Sequence, residues 1–195
     1  MTRTSANYSC SFSLFDLLRL DVLRLYRLSH GAQAASPSCL LLWIYVLSPF
    51  MAPVLFYRIS HYFQLRDMRL LAKICACLNS LLFGIEIASS CSIGPGLFIP
   101  HTHGTVIGAW SIGCNATIFQ GATLGAKYLA FDFDRSSRPI LGDNVTIGAG
   151  SKVLGGISIG SNSVVGANAV VLSDVPSDCV AVGVPAEIKL LSHYT

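Results

Sequence analysis

Two periods divide the chain. Over residues 14–33, the apolar residues Leu14, Leu17, Leu18, Leu20, Val22, Leu23, Leu25 and Leu28 recur at roughly helical spacing among Asp16, Arg19, Asp21, Arg24 and Arg27. This pattern predicts a helix with a charged face. The style continues from Pro53 to Leu82, where Pro53 suits a helix start and Gly84 a stop. Between them, Leu28–Tyr57 holds no Asp, Glu, Lys or Arg, and Cys39–Leu47 is apolar almost throughout. Ser48-Pro49 and Pro53 break that run before it reaches the ~20 residues a membrane-spanning helix needs. Two short buried helices joined at Ser48–Pro49 are expected, with a membrane-lying segment as the alternative.

After residue 85 the period becomes six. Leu141, Ile147, Val153, Ile159, Val165 and Val171 keep one register, mostly followed by Gly, and the same step links Ile93 with Ile99 and Val106, Ile112, Ile118 and Leu124. The seven-residue step from Ile99 to Val106 marks a slip around His101–Gly104. The long gap between Leu124 and Leu141 marks a loop at about 126–139. Such a repeat predicts a solenoid. Each hexad supplies one short strand and one corner, three hexads close a triangular coil, and the aliphatic residues stack inward. Burial at about 25 cal/mol per Å² then offsets the entropy of ordering so much turn. The expected organisation is an α-helical subdomain over 1–84, a β-solenoid over 85–189 and a tail over 190–195.

Charge adds one asymmetry. Residues 1–84 carry eight Lys/Arg against three Asp, and residues 85–195 five Lys/Arg against seven Asp/Glu, within a net charge of +3. A basic, apolar N-terminal third fits either an ordinary helical subdomain or peripheral contact with an anionic membrane surface. Basic residues are too sparse for a nucleic-acid footprint, so no nucleic-acid partner is expected. Seven scattered cysteines read as small buried hydrophobes of a reducing compartment, and the N-terminus lacks a signal-peptide pattern. A cytoplasmic location, possible also at the inner face of the membrane, follows.

Several blocks carry a resemblance: Gly84-Ile-Glu-Ile87, Ile93-Gly-Pro-Gly96, Phe98-Ile-Pro-His101, Gly104-Thr-Val-Ile-Gly108, Gln120-Gly-Ala-Thr-Leu-Gly125, Ile147-Gly-Ala-Gly150 and Gly183-Val-Pro-Ala186. Together with Tyr57-Arg-Ile-Ser-His61, they resemble the hexapeptide-repeat acyltransferases, in the serine acetyltransferase-like branch that includes polysaccharide O-acetyltransferases. The resemblance implies a left-handed parallel β-helix, a homotrimer, and acetyl-CoA as co-substrate in a groove between neighbouring helices, with no metal. It places Gly125, Ala149 and Gly150 beside the pantetheine arm, and Gly183, Val184, Pro185 and Ala186 along the cofactor near the last coil. Glycine and alanine suit close backbone approach, although such residues also simply turn corners.

The chemistry requires a base for a hydroxyl of high pKa, which a histidine supplies. His101 matches the family's catalytic histidine, and His103 is a second candidate. Glu86 matches a family aspartate that orients the base. Pro100 replaces an acidic residue usual in serine acetyltransferases, and Arg138 replaces a histidine that helps hold the amino-acid substrate. Arg138 could instead pair with an acceptor carboxylate. The loop is longer and contains Tyr128, Phe131, Phe133 and Arg135, and the C-terminus His193-Tyr194-Thr195 lacks a terminal isoleucine. These departures favour a sugar hydroxyl of a surface-polysaccharide precursor as acceptor, ahead of free serine. Other readings are a zinc carbonic anhydrase, for which His101 and His103 lack a third ligand, and a non-enzymatic solenoid scaffold.

Overall fold

The computed structural model describes residues 12–31, 33, 37–129 and 132–193. Among the described residues, four helices precede the solenoid: α1 (Leu14–His30), α2 (Cys39–Val46), α3 (Ala52–Leu65) and α4 (Arg69–Phe83). Helix α1 begins with a capping box. The Ser13 hydroxyl accepts from the Asp16 amide, and the Asp16 carboxylate accepts from the Ser13 amide. Helix α4 ends on Gly84 in the left-handed conformation (φ 64°), its amide donating to the Ser80 carbonyl.

Fourteen strands follow among the described residues. Three flat faces form. Face A stacks β1 (Ile85–Ile87), β3 (Thr105–Ile107), β6 (Thr123–Gly125), β9 (Lys152–Leu154) and β12 (Val170–Val171). Face B stacks β2 (Ser92–Ile93), β4 (Ser111–Ile112), β7 (Ile140–Leu141) and β10 (Ser158–Ile159). Face C stacks β5 (Thr117–Ile118), β8 (Thr146–Ile147), β11 (Val164–Val165) and β13 (Cys179–Val182), and is closed by β14 (Glu187–Leu190) running antiparallel to β13. All other pairings are parallel. The prism is a left-handed parallel β-helix with an N-terminal helical region. A 3-10 turn, Leu191–His193, follows β14.

The inward column is continuous: Ile85, Ile107, Ile112, Ile118, Leu124, Leu141, Ile147, Val153 and Val165 are fully buried. The register slip differs from the expected one. Ile107, at 0% exposure, occupies the inward position in β3, and Val106, at 37%, points outward beside Glu86. Hence the inward step is eight residues from Ile99 to Ile107, then five to Ile112. The surplus is spent on the corner that carries His101.

Two corners repeat a left-handed backbone conformation from coil to coil, with different residues. Between faces B and C stand Asn115, Asn144, Asn162 and Asp178, all at φ 56–60°. Their side chains form a ladder, Asn115 Nδ2 donating to Asn144 Oδ1 (3.2 Å), Asn144 Nδ2 to Asn162 Oδ1 (3.0 Å) and Asn162 Nδ2 to Asp178 Oδ1 (2.9 Å). Asparagine tolerates positive φ, and here its amide adds a bond between coils. Between faces C and A the same role falls to Gly104 (φ 73°), Gly121 (φ 70°) and Gly150 (φ 70°), with Asn168 (φ 58°) and Gly183 (φ 97°) above them. This second corner lacks a side-chain ladder at Gly104 and Gly121, whereas the Asn168 carboxamide lies over Gly150.

The helices are fastened to the first coils by charged side chains, of which Asp21 and Arg24 belong to the charged face that helical periodicity assigns to solvent. Asp21 and Arg58, each 1% exposed, form a buried ion pair at 2.9 Å. Asp21 Oδ1 also accepts from the amides of Gly96 (2.7 Å) and Leu97 (2.9 Å), and Arg58 donates to the carbonyls of Ile93 (2.5 Å) and Gly94 (2.7 Å). Arg24 donates to the Gly96 and Ala116 carbonyls and to Thr117 Oγ1. The buried Asp21 and Arg58 thereby gain partners, as burial of charge requires.

Helix α2 departs from expectation in the other direction. It turns at Ser48–Pro49, but Leu40 (73%), Trp43 (54%), Ile44 (58%) and Leu47 (77%) stand exposed rather than buried. A helix of eight residues cannot bury an apolar surface on all sides against α1 alone. Among the described residues, no helix is long and apolar enough to cross a membrane.

Candidate functional site

His101 lies at the C-to-A corner of the first coil, in the eight-residue step, and its side chain is exposed. The backbone around it is fixed from three sides. The Gly104 amide donates to the Gly84 carbonyl (2.9 Å), the Gly121 amide to the His103 carbonyl (3.1 Å) and the Thr105 amide to the Thr102 carbonyl (3.1 Å). The Thr102 hydroxyl donates to the Phe83 carbonyl at the end of α4 (2.6 Å). The imidazole is thus presented to solvent on a rigid turn, the arrangement a general base needs before substrate arrives. His103 is also exposed, but its ring lies against Gly84, where an added Cβ would stand 3.1 Å from Cδ2.

The corner continues upward from His101. Gly121 donates to the His103 carbonyl, Gly150 to the Gln120 carbonyl and Asn168 to the Ala149 carbonyl. At the top, the Val170 amide donates to the Gly183 carbonyl and the Ala186 amide to the Val170 carbonyl. His101, Gly121, Ala149-Gly150 and Gly183–Ala186 therefore share one edge of the prism. Four strand spacings of ~4.8 Å separate its ends, roughly 19 Å. Lys152 reaches back to this edge from face A, its ammonium donating to the Gly121 carbonyl at 2.6 Å. Gly125 is different. It ends β6 opposite Leu154, on the far edge of face A, so one chain does not bring it together with Ala149 and Gly150.

Glu86 is exposed on face A, in register with Val106. Among the described residues, neither Glu86 nor His101 makes a side-chain hydrogen bond or ion pair, so a Glu86–His101 dyad is not formed within one chain. Glu86 instead lines a shallow depression with Cys77, Ser80, Val106, Gly108 and Arg138. Arg138 is half-buried there. Its Nη1 donates to the Gly108 carbonyl (2.9 Å), its guanidinium lies 4.3 Å from the Phe133 ring centre, and its Nε is buried without a protein partner. Phe133 also stacks on Trp110 (5.7 Å). Asp134 knots the loop by accepting from the amides and hydroxyls of Ser136 and Ser137, and those bonds hold its carboxyl below the usual range. Of the loop aromatics, Phe133 is thus committed to packing, Tyr128 is exposed, and Phe131 lies outside the described residues.

Among the described residues, His101 and His103 gather no third metal-ligating side chain. Cysteine burial is uneven: Cys77 is exposed, whereas Cys91 is buried and its thiol is pushed up to about 12.

Comparison with known proteins agrees with this architecture. The family model described as bacterial transferase hexapeptide (six repeats) matches residues 138–173. A serine acetyltransferase of Synechococcus elongatus is 41% identical over 133 residues, 68% of this chain and 53% of the relative. One from Helicobacter pylori is 41% identical over 145 residues, 74% of this chain and 83% of the relative. Among solved structures, soybean serine acetyltransferase complexed with serine matches with 31% identity and a TM-score of 0.73, covering 93% of this chain and 72% of that one. A serine acetyltransferase in complex with CoA matches with 28% identity and a TM-score of 0.72, covering 93% and 72%. The match thus spans about half the length of the first of these relatives. The chain belongs to the hexapeptide-repeat acyltransferase family, in its serine acetyltransferase-like branch.

Proposed function

We propose that the protein transfers acetyl from acetyl-CoA to the hydroxyl of serine, with His101 as general base. The carrying observation is the glycine-rich C-to-A corner. It runs from an exposed histidine through Gly104, Gly121 and Gly150, past Asn168, to Gly183–Ala186, over roughly 19 Å of stacked coils. A pantetheine arm is thin and extended and binds through close backbone approach, which glycine permits and the asparagine ladder of the other corner would obstruct.

In this reading His101 takes the hydroxyl proton as the oxygen attacks the thioester carbonyl. The proton then passes to the departing CoA thiolate, so acetyl ester and free thiol are the products. The developing oxyanion requires a preorganised donor, supplied by a backbone N–H at the corner. The arm lies in a groove between protomers of a homotrimer, whose second wall brings in Gly125 from the opposite edge of a neighbour's face A. Glu86 orients a histidine from the same assembly, which explains why its carboxylate is unpaired in one chain. Arg138, with a buried Nε lacking a partner, is available to the acceptor carboxylate.

Serine is a better-supported acceptor than a polysaccharide sugar. The relatives at 41% identity are serine acetyltransferases, and a solved neighbour holds serine. The aromatic loop that motivates a sugar is also partly consumed, because Phe133 packs between Trp110 and Arg138. Thiol release from acetyl-CoA is the test, with L-serine in one arm and nucleotide-sugar or pyranose acceptors in the other. Turnover with serine is expected. Turnover with sugars alone would restore the glycan acceptor and overturn this one.

A further inference from the structure

We infer that Thr102 is a positioning residue that fastens the His101 corner to the end of helix α4, so that the base and the Glu86–Arg138 depression move as one body. The inference rests on the assignment of His101 as base and adds a residue that this assignment does not use.

Three observations carry it. First, the Thr102 hydroxyl donates to the Phe83 carbonyl at 2.6 Å. Phe83 is the last residue of α4, so its carbonyl is one of those a helix leaves without an internal partner. Second, the next residues repeat the connection: the Gly104 amide donates to the Gly84 carbonyl, and the His103 ring rests on Gly84. The eight-residue step would otherwise be a surplus loop on an exposed corner. These contacts tie its middle, Thr102–Gly104, to the end of α4. Third, α4 reaches the depression through Cys77 and Ser80, one to two turns before Phe83. A shift of α4 caused by an occupant of that depression would therefore be delivered to the His101 corner through Thr102.

A threonine at this place contributes a single directional bond. Valine has the same shape and lacks it, and serine keeps it without the methyl. Misplacing a base by about 1 Å costs on the order of a hundredfold in rate. Thr102→Val is therefore expected to lower kcat ten- to a hundredfold while leaving KM for acetyl-CoA within about twofold, since the glycine corner above is untouched. Thr102→Ser should recover most of the loss.

The test combines kinetics with native-state hydrogen exchange over residues 99–107, measured on wild type, Thr102→Val and Thr102→Ser at matched thermal midpoints. Faster exchange of this segment in Thr102→Val, together with the kcat loss and its rescue by serine, is the expected result. Unchanged exchange refutes the strut whether or not the protein turns over serine. Faster exchange with wild-type kcat refutes its role in positioning the base. Absence of turnover in the wild type itself would instead refute the proposed function, and the exchange comparison would still decide whether Thr102 fastens the corner.

Discussion

Replacing Gly121 by asparagine separates the corner's structural role from its binding role. The backbone at Gly121 has φ 70°, a region that costs an ordinary side chain roughly 1–2 kcal/mol. Asparagine escapes much of that cost, and this molecule already holds Asn115, Asn144 and Asn162 at φ 56–60° in the equivalent conformation. Space is also present. A Cβ on Gly121 would meet Gly150 Cα at 3.5 Å and its amide nitrogen at 3.6 Å, ordinary contacts. Gly121→Asn should therefore fold with a thermal midpoint within a few degrees of wild type. Its carboxamide, however, would project into the edge that the pantetheine arm follows. Displacing two to three methylene groups at about 0.8 kcal/mol each loses about 2 kcal/mol, or roughly thirtyfold in affinity. Initial rates of thiol release at varied acetyl-CoA, beside circular-dichroism melts, measure both quantities. A folded Gly121→Asn protein with wild-type KM for acetyl-CoA would refute the assignment of this corner to the cofactor.

Three further outcomes are expected. Asp21→Ala leaves the Arg58 guanidinium buried without its carboxylate and should cost about 3–5 kcal/mol by urea denaturation, with the helices loosening from the first coils. His61 is held below its ordinary pKa chiefly by burial, opposed by its bond to the Ser89 carbonyl and helped by nearby Arg58. The neutral form is favoured in the folded state, so stability should be intact above pH ~6.5 and fall as pH drops below it. The urea midpoint of wild type should therefore fall more steeply from pH 7.5 to 5.5 than that of His61→Asn. A thiol reagent should modify exposed Cys77 rapidly in the native protein and reach Cys91 only on unfolding, because Cys91 is fully buried and its thiol remains protonated. Peptide mapping of the labelled protein distinguishes the two.

The repeat was legible because inward positions of a solenoid must be aliphatic at fixed spacing, so Leu141 to Val171 could be read directly. The slip was not. Val106 and Ile107 are both β-branched and adjacent, and only the pairing of β3 with β1 and β6 decides that Ile107 faces inward. Helix α2 was misread as buried because an all-round apolar segment usually is, while its neighbours here are too few to cover it. Asp21, Arg24 and Arg58 were hidden for the opposite reason: periodicity places charges outside, and the partners that bury these three are backbone groups of the distant first coils. His101 was found through motif resemblance. The contrast between an asparagine corner and a glycine corner was present in the spacing of Asn144 and Asn162 and of Gly121 and Gly150, but it becomes meaningful only when faces are assigned. Gly125 and Gly150 are corner glycines at opposite ends of face A, a separation that becomes visible only when the strands are assigned.

Turnover by His101→Ala tests the central claim most directly. General-base catalysis by a positioned histidine contributes about 10²–10⁴-fold. The account predicts that kcat for thiol release with serine falls by at least about a hundredfold in His101→Ala, with KM for acetyl-CoA and the thermal midpoint close to wild type. A folded His101→Ala protein that acetylates serine at the wild-type rate would contradict it.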